Sequence, residues 1–181
     1  MTTWKIDTVH SEINFKVKHL LVSTVRGNFD TFNATIETNN EDFSDAVIKF
    51  EADINGINTK NEQRDTHLKS ADFFDAANNP KMTFESTSVK KISDFEMQVT
   101  GILTLRGVTK EVTLDVIYNG TVSGFGDSTV AGFEVRGKIN RFDFGLKWNA
   151  VTEAGGVVVS NEVKIEILAE FNKVNEAVKA A

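Results

Sequence analysis

Three histidines are the residues of this chain best suited to acid–base or metal chemistry. They are His10, His19 and His67, and two aspartates, Asp7 and Asp65, lie close to two of them in sequence. An imidazole titrates near neutral pH, so a histidine beside a carboxylate can transfer protons or bind a metal ion. However, no two histidines have the short helical spacing of a metal-binding motif such as H-E-x-x-H. The spacing favours structural or surface histidines, and we predict no catalytic residue and no metal site.

Two arginines lie beside aspartates and aromatic rings. Arg64 directly precedes Asp65, and Arg141 lies two residues before Asp143. These charged groups either line the mouth of a pocket or form ion pairs that fix a helix and a loop in place. Ion pairs of the second kind set geometry more often than they add stability, and we favour that interpretation. No serine lies in the G-x-S-x-G motif of a hydrolase, so a serine nucleophile has no support.

The composition excludes several classes of protein. The 181 residues include no cysteine, which rules out disulfides, zinc–thiolate sites and cysteine nucleophiles. A net charge of −6 argues against general nucleic-acid binding. No apolar stretch approaches the roughly 20 residues of a transmembrane helix. The N-terminal residues M-T-T-W-K do not resemble a signal peptide. We therefore expect a cytoplasmic protein, or a periplasmic one if a signal peptide has been removed.

The aromatic residues are unusual, because 14 Phe stand against two Trp and one Tyr. A Phe ring carries no polar group, so it needs an apolar interior or an apolar ligand. Apolar and polar residues also alternate with a period of two, which is typical of strands with one buried and one wet face. About nine segments show this alternation, around residues 4–6, 12–19, 32–36, 48–54, 82–84, 97–105, 112–118, 131–139 and 163–171.

Short turns between these segments predict an antiparallel meander that packs as a sandwich or closes into a barrel. Residues 27–31 break the alternation, because Phe29 and Phe32 are three positions apart, and predict a bulge or a bend. Gly107 predicts a hairpin turn with a positive φ.

One helix is predicted inside the domain, from about Asn61 to Asp72. It follows a capping-box pattern in which Thr59 is the N-cap residue and Glu62 reaches back to it. We expect a single domain over residues 1–171 and a helix-permissive tail over residues 172–181.

The residue pattern leaves open whether the interior is hollow. An eight-stranded barrel has an interior that side chains can just fill or that holds one small ligand. Small residues at inward positions either leave a cavity or merely complement the large rings. These residues are Ala34, Ala52, Gly101, Gly137 and Ala169.

Seven motifs, in order and over almost the whole chain, resemble the YceI-like, polyisoprenoid-binding family. The resemblance implies an all-β, antiparallel, lipocalin-like β-barrel of about eight strands, with one short helix in a long insertion. It also implies an elongated apolar tunnel. The motifs are D-T-V-H-S at 7–11, V-K-H at 17–19, G-N-F at 27–29, R-D-T-H-L-K-S-A-D-F-F-D at 64–75, T-F-E-S at 83–86, G-I-L-T-L-R-G-V-T at 101–109 and R-F-D-F-G at 141–145.

The function implied by this resemblance is non-catalytic binding, transport or storage of a long-chain lipid. The lipid is a polyisoprenoid, an isoprenoid quinone or a fatty-acid derivative, no other cofactor is expected, and homodimers are common among similar proteins. The candidate lining residues are Phe15, Val17, Phe32, Ile36, Phe50, Ile54, Phe84, Leu103, Leu114, Phe133 and Ile165. The candidate polar residues near a headgroup are His19, Arg64, His67 and Arg141.

Two alternatives stay open beside the lipid carrier. One is an enzyme that acts on a lipid or isoprenoid, with His19, His67 and Asp65 as acid–base candidates. This alternative requires the three groups to converge in the pocket. The other is a ligand-free stress or interaction protein, which would have a filled barrel and an exposed apolar patch elsewhere.

Overall fold

Eleven β-strands form most of the chain between residues 1 and 175, which are the residues that the computed structural model describes. One α-helix, α1 (Glu62–Lys69), and two short 3-10 turns (Ile54–Gly56 and Arg141–Phe144) connect them. The strands are β1 (Thr2–Ile6), β2 (Glu12–His19), β3 (Ser23–Phe29), β4 (Phe32–Thr38), β5 (Val47–Asp53), β6 (Ile57–Asn58), β7 (Lys81–Lys91), β8 (Glu96–Leu105), β9 (Val108–Ser123), β10 (Thr129–Asn140) and β11 (Val159–Lys173).

The strands close into a barrel because β11 pairs with β10 along one edge and with both β1 and β2 along the other. The first six strands form three bent ribbons, each made of two consecutive strands, namely β1 with β2, β3 with β4, and β5 with β6. On one side of each bend β1 pairs with β4 and β4 with β5, and on the other side β2 pairs with β3 and β3 with β6. Three ribbons and the five strands β7–β11 make an eight-stranded, antiparallel barrel in sequence order. The predicted fold class is confirmed.

The bend predicted between residues 27 and 31 is also confirmed, since β3 ends at Phe29 and β4 begins at Phe32. The sequence reading missed β3 as a strand because Gly27 conceals its alternation. Val25, Gly27 and Phe29 share one face, and a Cβ atom at Gly27 would lie 2.4 Å from the ring of Phe15. Glycine is therefore required by a close cross-strand contact, and its presence weakens the strand pattern.

The start of helix α1 differs from the prediction. Asn61, not Thr59, is the N-cap residue, and its side chain accepts a hydrogen bond from the Arg64 amide at 2.9 Å. The capping-box assignment was wrong because Thr59 is buried and its amide and hydroxyl both donate to Asp65. The helix ends at Lys69, short of the predicted Asp72. No helix within residues 1–175 is long and apolar enough to cross a membrane.

The last strand extends past the predicted domain end at residue 171. β11 runs to Lys173, which pairs with Trp4, so residues 172 and 173 belong to the barrel and not to a tail. The rest of the predicted tail, residues 176–181, lies outside the described residues. The hairpin turn at Gly107 is confirmed, with φ of +71° between β8 and β9.

Candidate functional site

The barrel is hollow, and its interior is an elongated cavity of about 620 Å³ lined almost entirely by apolar side chains. On β11 the lining residues run from Val159 to Phe171. Twelve residue steps on a strand inclined to the barrel axis correspond to roughly 30 Å along that axis. The volume lies in the range of about 300–1,000 Å³ typical of ligand pockets. The question that the sequence left open is thus answered in favour of a hollow interior.

Four of the five small inward residues contribute to this cavity, in two ways, whereas Ala52 is buried and does not border it. Ala34 and Ala169 border it directly. Gly101 and Gly137 instead receive a large neighbour, because a Cβ atom there would lie 2.4 Å from the Phe84 ring and 2.4 Å from Leu114 respectively. These large side chains lie against the wall over a glycine, and this arrangement leaves the axis of the barrel free.

Nine of the eleven predicted lining residues border the cavity. The expectation for the other two needs correction, because Phe32 and Ile54 lie outside it. Ile54 is fully buried in the 3-10 turn between β5 and β6, and Phe32 follows the bend and packs against the core beside Ala52. The bordering residues are Phe15, Val17, Ile36, Phe50, Phe84, Leu103, Leu114, Phe133 and Ile165.

One end of the cavity, which we call the mouth, carries most of the polar lining residues. It is formed by α1 and the residues before it, the end of β2, and the segment 146–159. Asn61 and Gln63 border the cavity and are also exposed to solvent, so the cavity opens here. All four predicted headgroup residues border the cavity at this end, namely His19, Arg64, His67 and Arg141.

Arg64 is held at the mouth by Thr59. Its Nε donates to the Thr59 hydroxyl and its Nη2 to the Thr59 carbonyl, each at 2.7 Å. The expected ion pair with Asp65 does not form, because the Asp65 carboxylate accepts from Thr59 instead. Within residues 1–175, Arg64 has no carboxylate within 4 Å, so a positive charge without a salt-bridge partner lines the mouth.

His67 has different partners. Its Nε2 lies 2.8 Å from the Asp72 carboxylate, and its ring packs edge-on against Phe73 and Trp148, with centroids 5.1 and 4.8 Å away. Among the described residues, no hydrogen bond joins His19, His67 and Asp65 to one another. The three groups that the enzyme alternative requires are therefore not joined in one hydrogen-bonded network in this structure.

Arg141 serves the backbone. Its side chain is only 3% exposed, and its guanidinium donates to four carbonyl groups. Burial lowers the pKa of Arg141. Within residues 1–175 Arg141 forms no ion pair with Asp143, contrary to expectation. It fixes the loop through hydrogen bonds to backbone carbonyl groups. The acceptors are Leu146 at 2.6 Å, Trp148 at 2.8 Å, Ser160 at 2.9 Å and Val159 at 3.3 Å.

The third histidine, His10, lies away from the cavity in the turn between β1 and β2. Its Nδ1 is 3.0 Å from Asp7 and 3.9 Å from Glu170. The hydrogen bond with Asp7 raises the pKa of His10 and lowers the pKa of Asp7. Asp7 also accepts from the Val9 amide at 2.9 Å, so this group stabilises the break between the two strands.

The end of the cavity opposite the mouth is closed by Phe43. This residue belongs to the loop between β4 and β5, and its ring is 2% exposed. It contacts Trp4, Tyr118 and Phe133, with ring centroids 5.1 to 5.4 Å apart. Sequence reasoning missed Phe43 because a single apolar residue in a polar loop has no periodicity. It missed Trp148 for the same reason.

The loop that carries Phe43 depends on Asp45. The Asp45 carboxylate accepts from the Thr38 hydroxyl and from the amides of Asn39 and Asn40. These hydrogen bonds, that from Thr38 first, hold the pKa of Asp45 far below its ordinary value of 3.8. A depressed pKa means that the stabilisation is present above the unfolded-state pKa and is lost as the pH falls through the folded-state pKa.

We expect Asp45→Asn to lower the thermal unfolding midpoint at neutral pH. The difference from the wild type should shrink as the pH falls below about 4, because the Asp45 carboxyl group of the unfolded wild-type chain then takes up a proton while that of the folded protein is still ionised. Thermal melts across that pH range test this. Glu41→Gln is the control, because Glu41 is in the same loop and makes no side-chain hydrogen bond among the described contacts. A constant difference at every pH would contradict the prediction.

The comparison with known proteins agrees with the sequence motifs. The profile of the YceI-like domain matches residues 4–171. The chain belongs to the YceI-like family. A UPF0312 protein of Staphylococcus aureus strain N315 is 45% identical to this YceI-like protein in an alignment of 175 residues, which covers 95% of this chain and 98% of the relative.

Solved structures show the same barrel. A YCEI protein of Campylobacter jejuni is 32% identical, with a TM-score of 0.75 over 87% of this chain and 90% of that one. BcnA of Burkholderia cenocepacia is 20% identical, with a TM-score of 0.79 over 91% and 98%. A polyisoprenoid binding domain from Saccharophagus degradans is 17% identical, with a TM-score of 0.67 over 93% and 97%. The last two show the fold alone.

Proposed function

We propose that this YceI-like protein binds one long-chain apolar lipid in its barrel and carries or stores it without chemical change. The ligand class is a polyisoprenoid, an isoprenoid quinone or a fatty-acid derivative. The observation that carries the proposal is the elongated apolar cavity of about 620 Å³, open at the mouth and closed at Phe43. The polyisoprenoid binding domain from Saccharophagus degradans shares this fold.

The shape of the cavity suggests how the lipid lies in it. The hydrocarbon tail points towards Phe43, because the walls there are apolar and each Å² of apolar surface buried contributes about 25 cal/mol before the costs of binding. The polar end of the lipid lies at the mouth. Arg64 faces it with a guanidinium that has no salt-bridge partner among the described residues, and His19 and His67 lie at the same end.

Native mass spectrometry of the gently purified protein tests the proposal. We expect an adduct with the mass of a long-chain lipid, and uptake of a polyprenol, an isoprenoid quinone or a fatty acid when each is offered to protein stripped of lipid. A protein that shows no adduct and takes up none of the three would refute lipid binding.

The role of Arg64 is tested with two ligands that share a tail. We expect Arg64→Gln to weaken binding of a polyprenyl phosphate about tenfold, because a charge-assisted hydrogen bond is lost, and to affect the matching polyprenol much less. Lys60→Gln removes the same charge from an exposed residue close in sequence to Arg64 and serves as the control. Equal losses for both ligands, or the same loss in Lys60→Gln, would argue against a headgroup contact.

A further inference from the structure

Large aliphatic side chains project into solvent from two loops at the mouth. The turn between β2 and β3 exposes Leu20, Leu21 and Val22, the latter two at 69% and 85%. The neighbouring segment 146–158 exposes Val151, at 72%, and Val157. We call the turn of residues 20–22 and the segment 146–158 the rim loops. Isolated exposed apolar residues are ordinary, but a cluster at the opening of a cavity marks an interaction site.

The turn between β2 and β3 holds its side chains in a strained backbone conformation. Leu20 and Leu21 have φ of 51° and 61°, in the left-handed region where glycine or asparagine is the usual residue. The Leu20 amide donates to the Val158 carbonyl at 2.9 Å, so the two rim loops are tied together. Two leucines in this conformation, with their side chains in water, favour neither folding nor solubility. Residues with such unfavourable backbone conformations cluster at functional sites.

The rim loops are continuous with the cavity. His19 directly precedes Leu20, and Val158 directly follows Val157, and both His19 and Val158 line the mouth. A lipid that leaves the cavity past these residues would meet the exposed aliphatic side chains next.

The charge of this region is opposite to that of the whole chain. Residues 18–26 and 146–158 contain three Lys or Arg side chains, Lys18, Arg26 and Lys147, and one carboxylate, Glu153. The full chain carries a net charge of −6. Basic groups around apolar tips are complementary to an anionic lipid surface, which attracts Lys and Arg side chains close to it.

We propose that the rim loops dock on the surface of an anionic phospholipid bilayer, with Leu21, Val22 and Val151 entering the interface and the mouth facing the lipid. The proposal rests on the proposed lipid-binding function and adds the surface through which the ligand enters and leaves. The hydrocarbon chain would then pass between bilayer and barrel without crossing water.

A second exposed apolar group at the opposite end of the barrel provides a matched control. Val122 and Phe125 lie at the hairpin between β9 and β10 and are 65% and 102% exposed. They lie beyond the closed end, so removing them takes away exposed apolar surface without touching the mouth. The bilayer proposal predicts that they are dispensable for docking.

Flotation with lipid vesicles tests the docking. We expect the wild type to float with vesicles of phosphatidylglycerol mixed with phosphatidylcholine, and less with phosphatidylcholine alone. Leu21→Ser combined with Val22→Ser should weaken this binding about tenfold or more, since each side chain loses its apolar burial. Val122→Ser combined with Phe125→Ser should leave it unchanged. No flotation of the wild type, or equal losses in both double variants, would overturn the proposal.

Uptake of a polyprenol from detergent micelles separates docking from ligand binding. The rim variant should take up the polyprenol from micelles as the wild type does, and more slowly than the wild type from vesicles. Wild-type uptake from micelles without vesicle binding would overturn the docking alone. Failure of the wild type to take up a polyprenol, an isoprenoid quinone or a fatty acid from either source would overturn the proposed function.

Discussion

Leu114→Trp is expected to remove at least about nine-tenths of the bound lipid while leaving the barrel folded. Leu114 borders the cavity from β9 and lies against Gly137 of β10. An indole at this position cannot fit in the space over Gly137, so it projects towards the axis that the lipid needs. Overpacking a well-packed interior costs about 1–3 kcal/mol. If about 1.4 kcal/mol of this cost falls on the lipid-bound state, the affinity for the lipid falls tenfold.

The lipid content of Leu114→Trp is measured by native mass spectrometry and its fold by circular dichroism. Thr113→Trp adds a tryptophan at the neighbouring residue of the same strand, whose side chain is exposed on the outer face. That control should retain its lipid. A folded Leu114→Trp protein with undiminished lipid would show that the ligand does not occupy this part of the cavity.

Arg141→Met is expected to lower the free energy of unfolding by about 3–5 kcal/mol. Methionine keeps much of the apolar stem but removes the guanidinium donor from four carbonyl groups of residues 146–160, of which that of Val159 keeps a hydrogen bond from the Asn149 side chain. A lost buried hydrogen bond to a charged group costs roughly 1.5–3 kcal/mol. Arg141→Lys should recover part of the loss, because an ammonium group can satisfy some of these acceptors but lacks the planar geometry of a guanidinium.

Urea denaturation of the two Arg141 variants measures this loss, and hydrogen exchange shows where it acts. We expect faster exchange in the segment 146–158, which the guanidinium holds against the start of β11. Arg136→Met is the matched control, because Arg136 lies on β10, five residues before Arg141, and is exposed; its loss should stay within about 0.5 kcal/mol. Stability equal to that of the wild type in Arg141→Met would contradict the structural role.

The barrel itself could be predicted because it depends on a pattern that each strand carries locally. The alternation of apolar and polar residues along β4, β5 and β8 to β11 indicates which face of each strand is buried. Short turns leave few possible topologies for sequential antiparallel strands. The exceptions have physical causes. In β3, Gly27 gives up the apolar side chain that would have completed the alternation, because the Phe15 ring occupies that space.

The hollow interior could not be derived from the pattern, because it depends on the direction in which inward side chains lean. The rings of Phe15 and Phe84 lie over glycines of the neighbouring strand, and no single strand carries that information. The role of Arg141 was equally hidden, since its acceptors are backbone carbonyls that any sequence would supply. The resemblance to YceI-like proteins, not periodicity, carried the expectation of a ligand.

The pairing of large side chains with glycines has a consequence for how ligand choice evolves. Gly27, Gly101 and Gly137 do not line the cavity, yet each fixes how far a bordering side chain withdraws from the axis. The width of the cavity is therefore set at three positions that do not line it. A substitution to alanine at any of these glycines would push the neighbouring side chain inward and narrow the cavity. Ligand selectivity can therefore change in evolution without a change in any residue that lines the cavity.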